Sequence, residues 1–116
     1  AMIEPLWTPL ADAAAGRANR FALQAILTHI WEKRGPARAL FEPPLAPRFQ
    51  RKLALMIEQR LPSPVADVPA ALRATGSAAA ILAVLKAWLA GEQVCSVEAL
   101  AAYLGHLDPV SDDGPS

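Results

Sequence analysis

Residues 76–91 restrict the fold more than any other stretch of this chain. Between 78 and 90 the one charged residue is Lys86, and the rest is Ala, Ile, Leu, Val and Trp. On a 3.6-residue wheel, Ile81, Leu82, Leu85, Trp88 and Leu89 share one arc. Ala79, Ala80, Ala83, Ala87 and Ala90 share the other. A helix that is apolar nearly all round has to be covered on more than one side. The bulky arc suits the chain's own core. The alanine arc lets a second backbone approach closely, and in so short a chain a second copy is the expected source.

The chain has 116 residues, the length of one domain. Ala and Leu dominate, which favours helices. Its 11 prolines fall at 5–9, 36–47, 62–69 and 109–115, where they punctuate helices. Formal net charge is zero, against a domain whose main task is gripping nucleic acid. A single cysteine, Cys95, excludes an internal disulfide and suits a reducing, cytoplasmic setting. No signal peptide is read. The apolar run 78–90 is about 13 residues, short of the ~18 that span a bilayer, so no membrane partner is expected. Ala1 before Met2 reads as a cloning remnant.

Periodicity then lays out the elements. Residues 1–17 read as a lead-in, a weak helix broken by Pro5 and Pro9 and anchored by Leu6, Trp7 and Leu10. Residues 18–34 form a helix with the stripe Leu23, Ile26, Leu27, Ile30 and Trp31, stopped at Gly35-Pro36. Phe21 lies off that stripe and implies a second buried face. A short piece follows at 37–41, with Pro36 in its first turn. Residues 46–61 carry Phe49, Leu53, Met56, Ile57 and Leu61 on one side. A long helix over 67–90 starts at Asp67-Val-Pro69 and stops at Gly91. Ser96 caps a last helix striped by Val97, Leu100, Ala101, Leu104 and Leu107. Residues 108–116 read as a flexible tail. The expected fold is an all-α bundle of about five to six helices.

No pattern for catalysis stands out. There is no G-x-S-x-G, no phosphate-cradling glycine loop and no paired-cysteine zinc pattern, so no enzyme and no cofactor are expected. His29 and Glu32 are spaced i, i+3, but the order is reversed from a bundle metal site and no second copy exists, so no metal is expected. His29 at the stripe edge reads as a half-buried polar group, or as a hydrogen-bonding group if a cavity adjoins it. Cys95 lacks a basic neighbour to activate it. Arg48, Arg51, Lys52 and Arg60 read as a solvated basic face, interrupted by Glu58 and Gln59.

Three stretches together resemble the C-terminal ligand-binding and dimerisation domain of the tetracycline-repressor (TetR) family of transcriptional regulators. They are His29 to Phe41, the basic-apolar start of a helix at Arg48 to Leu53, and 78–91 followed by Ser96 to Leu104. The resemblance covers about residues 18–107. It implies an effector-binding and dimerisation domain whose last two helices pair with those of a second subunit. It also implies that DNA is read by a separate N-terminal helix-turn-helix unit, which this chain does not contain.

On that reading an apolar small-molecule effector enters a cavity between the helices at 18–34, 46–61 and 67–90. The candidate ligand residues are Phe21, Ile26, His29 and Ile30 from the first helix. Phe49, Leu53 and Met56 come from the second, and Leu85 from the third. The candidate homodimer interface takes Ala79, Ala83, Lys86, Ala87 and Ala90 from the long helix. Val97, Leu100, Ala101 and Leu104 come from the last. The alternative is a stand-alone helical adaptor that binds a protein partner through the same alanine face. A small bundle enzyme or metal carrier is the third reading.

Overall fold

The computed structural model describes residues 4–61, 68–91 and 95–106. Asp67, Leu107 and the segment 108–116, to which the sequence assigns a cap, a stripe position and a tail, lie outside them. Six α-helices and one 3-10 turn are present, with no strand among the described residues. The elements are α1 (Glu4–Ala14), α2 (Arg20–Glu32), α3 (Arg34–Arg38), the 3-10 turn Ala39–Phe41, α4 (Leu45–Arg60), α5 (Ala70–Leu89) and α6 (Val97–Leu104). The expected all-α bundle is what forms.

The largest departure is α1. Pro9 removes one helix hydrogen bond, yet the helix runs unbroken from Glu4 to Ala14. Tertiary packing holds it. Leu10, Ala11, Ala13 and Ala14 are fully buried, and α1 packs on α2, α4, α5 and α6. Pro5 stands in the first turn, where a missing N–H costs nothing. The expected lead-in is therefore the central helix, because a run of alanines lets four neighbours close in around it. Gly16, at φ 84°, then turns the chain toward α2.

Local chemistry sets the other boundaries. The Asn19 Oδ1 accepts from the Ala22 N–H at 3.1 Å and starts α2. The Ser96 Oγ accepts from the Ala99 N–H at 3.0 Å and starts α6, as its sequence predicts. Pro69 stands at the N-cap of α5, two residues after the start the sequence suggests. Gly91, at φ 80°, ends that helix in the left-handed conformation its position predicts.

One core joins every long element. Leu10 of α1, Leu23 and Leu27 of α2, and Leu53 and Ile57 of α4 are fully buried in it. Ile81, Leu85 and Leu89 of α5 and Leu104 of α6 complete it. The most extensive helix pair is α4 with α5. The Arg60 Nε donates to the Asp12 Oδ1 at 2.7 Å and ties the end of α4 to α1. No polar or charged residue is buried among the described residues.

Candidate functional site

The cavity expected between the second, fourth and fifth helices is filled by α1. Leu53 and Leu85 are fully buried core side chains, and Met56 is half-buried against the same core. Phe49 is half-buried and its ring sits 4.6 Å from that of Trp7 and 5.8 Å from that of Phe41. These four residues therefore help build the core. Phe21 departs furthest from expectation. It is 85% exposed, so the second buried face inferred for α2 is absent.

Three of the eight ligand candidates do come together. Ile26, His29 and Ile30 line a groove of about 280 Å³. Its opposite wall is Trp7 of α1, and its end is closed by Pro36, Ala37 and Leu40. Helical spacing explains the α2 contribution, because 26, 29, 30 and 33 fall on one face. The segment 34–41 then folds back across that face, since Pro36 suits an early position in α3 and the 3-10 turn tightens the chain after it. Of the residues that sequence periodicity missed here, Trp7 carried a signal: it was the one aromatic in the segment read as a lead-in.

The wall of the groove is almost wholly apolar. Ile26 and Ile30 are buried, while His29 and Lys33, one turn apart, are exposed. No carboxylate is among its lining residues. The Trp7 ring is 94% buried at 6% exposure, and its indole N–H meets no acceptor. A buried N–H left unpaired costs about 1–3 kcal/mol. Beside the groove, the Arg34 guanidinium lies 4.5 Å over the Trp31 ring and donates to the Trp31 carbonyl oxygen at 2.8 Å. Trp31 in turn packs on Trp88, with centroids 5.1 Å apart, and joins the end of α2 to the end of α5.

The interface candidates divide cleanly. Ala83, Lys86 and Ala90 are exposed, and Ala79 and Ala87 are half-buried. The alanine arc of α5 is thus open, as the wheel predicts, while Ile81, Leu82, Leu85, Trp88 and Leu89 are all buried. Toward its start the arc continues through exposed Gly76 and Leu72, the latter 63% exposed. Toward its end it lines a second hollow of about 300 Å³, shared with Arg38, Phe41 and Glu42. There the Arg38 Nε donates to the Leu89 carbonyl oxygen at 2.9 Å, and the Lys86 Nζ lies 3.7 Å from the Glu42 Oε1.

The α6 candidates are placed differently. Leu100, Ala101 and Leu104 are buried inside this chain, in a helix that packs on α2 and α1, and Val97 is half-buried against the same core. They are spent on the monomer and do not present a face to a second subunit.

Other features carry less. No group of three or more His, Cys, Asp or Glu able to hold a metal is found among the described residues. Arg48, Arg51 and Lys52 are exposed on α4. Cys95 is exposed, and its carbonyl oxygen accepts from the Trp88 indole N–H at 3.2 Å. The helix α5, at 20 residues and mean hydropathy 1.3, is long and apolar enough to cross a bilayer by length and composition. In this fold its bulky side is used against neighbouring helices. Comparison with protein-family models finds no match, and curated proteins and solved structures yield none either.

Proposed function

We propose that this chain is a helical effector-binding and homodimerisation domain of the TetR-like kind, with DNA contacted only through a separate unit. The observation that carries the reading is the two-sidedness of α5. Its bulky arc is buried in the core while its alanine arc, from Leu72 to Ala90, stays open along the helix. A long exposed apolar stripe on a soluble fold marks a surface that is covered by something else. Small side chains at 76, 79, 83, 87 and 90 allow the same stripe of a second copy to approach closely. The interface so drawn uses α5 alone. The residues of α6 that the family resemblance would add are occupied elsewhere.

An effector then acts through differential affinity for two arrangements of the dimer, the one way in which a ligand shifts such a balance. The test is sedimentation velocity over a concentration series, with the chain and its Ala83→Glu variant side by side. A dimer that becomes a folded monomer on Ala83→Glu supports the reading. A parent chain that is monomeric throughout overturns it and leaves the alanine face to a foreign protein helix, the adaptor reading.

A further inference from the structure

We infer that a second copy of this chain docks antiparallel on α5, about a two-fold axis beside Ala79, with Leu72 of each copy seated in the hollow at the end of the other's alanine arc. The inference rests on the homodimer reading. It adds an orientation, a register and two further elements, the 3-10 turn and α4.

The first argument is apolar. After Phe21, Leu72 is the most exposed large apolar side chain among the described residues, at 63%. It stands near the start of the arc, in line with Ala79, Ala83 and Ala90 on a 3.6-residue wheel. At the far end of that line, Ala83, Lys86, Ala87 and Ala90 frame a hollow of about 300 Å³ together with buried Phe41. Their spacing, i, i+3, i+4 and i+7, is that of the four-residue hole that receives one side chain from a facing helix. Each copy thus carries a knob and a hole on one line. An isologous dimer matches one patch to itself, so its axis lies midway between knob and hole. Midway between 72 and 86–87 is residue 79. The side chains there are those of Gly76, Ala79 and Ala83, small enough for two helix axes to come within about 8 Å.

The second argument is electrostatic and leads to the same axis. The start of α4 lies beside Lys86, whose Nζ is 3.7 Å from the Glu42 Oε1, and α4 runs back along α5. With a rise of about 1.5 Å per residue in both helices, Glu58 stands level with Ala71 and Thr75, and the three line one groove. Glu58 is exposed and has no ion-pair partner among the described residues. A two-fold axis beside Ala79 brings the 72–73 level of one copy to residue 86 of the other. Lys86 of each copy then arrives beside Glu58 of the other, opposite charge to opposite charge. A parallel pair sets Lys86 against Lys86 and Leu72 against Leu72, and leaves both hollows empty.

Two measurements on the full chain test this. Sedimentation velocity compares the chain with its Leu72→Ala variant. The expected result is a dimer whose Kd rises by about a hundredfold or more in the variant, because two leucine side chains leave their seats. Cross-linking reads the orientation. In a Cys95→Ser background, Leu72→Cys and Ala87→Cys are treated with a short bismaleimide, each alone and mixed, at concentrations where both sediment as dimers. Antiparallel docking brings 72 to 87 of the other copy and holds 72 from 72 at about 22 Å along the helix. Cross-linked dimer should form in the mixture and with neither variant alone. Product from each variant alone means a parallel pair and overturns the inference, while the homodimer stands. A dimer that gives no product in the mixture, or whose Kd ignores Leu72→Ala, does the same. A parent chain that sediments as a monomer throughout overturns the homodimer reading, and this inference with it.

Discussion

Arg60 reaches back across the bundle to Asp12, Nε to Oδ1 at 2.7 Å, while its Nη1 donates to the Met56 carbonyl oxygen. The contact pins the last turn of α4 to the last turn of α1. Both side chains are partly exposed, at 24% and 32%, so solvent screening reduces the value of the pair. Asp12→Ala is expected to cost about 0.5–1 kcal/mol in urea denaturation. A double-mutant cycle with Arg60→Ala should return most of that as coupling; additive losses would mean that the pair contributes nothing.

Leu10 tests whether α1 is central. Truncating a fully buried leucine costs about 2–5 kcal/mol. Leu10→Ala should therefore lower the Tm by well over 10 °C by the usual scaling for a domain of this size. A loss under about 1 kcal/mol, typical of a surface change, would return 4–14 to the status of a dispensable lead-in.

Glutamate substitutions separate the open helix from the buried one. Ala83→Glu places its charge in solvent and should leave the monomer fold intact. Leu100→Glu buries a carboxylate without a partner in the α2–α6 contact and should destabilise the fold by about 3 kcal/mol or more. Circular dichroism melts of the two variants check both. A Leu100→Glu protein as stable as the parent would reopen α6 as an interface.

Phe21 offers the reverse expectation. It is the most exposed large apolar side chain of the described residues. Phe21→Ser should change stability by no more than about 0.5 kcal/mol. A larger loss would show that Phe21 is covered in solution.

Ser96 carries the sole side-chain cap of α6, a helix of 8 residues. Ser96→Ala should cost about 1 kcal/mol, and amide exchange should rise across Val97–Leu104 before the rest of the bundle responds.

Much of the architecture was legible because it rests on local patterns. The two arcs of α5, the stop at Gly91, the cap at Ser96 and the stripe of α2 follow from spacing and turn chemistry alone. What was not legible is where small residues end up. Ala11, Ala13 and Ala14 carry no periodic signal, and Pro9 argues against a helix, yet close approach to four neighbours outweighs the one lost hydrogen bond. That single misreading displaced the expected cavity, because the space assigned to a ligand belongs to α1. Ile26, His29 and Ile30 line one groove since they share a helix face. Leu53 and Leu85 lie in the filled core, and an apolar stripe reads the same whether it faces a cavity or a core.

The segment 34–41 is a partition with a hollow on each side. Ala37 and Leu40 face the groove beside Trp7, and Arg38 and Phe41, each one residue further along, face the end of the alanine arc. Arg38 fastens this partition to the last carbonyls of α5 through Leu89, and Glu42 leans toward Lys86. A thin wall anchored in this way has no independent positions for its two faces. Leu40 and Phe41 are consecutive residues, so one stretch of backbone sets the boundary of both chambers.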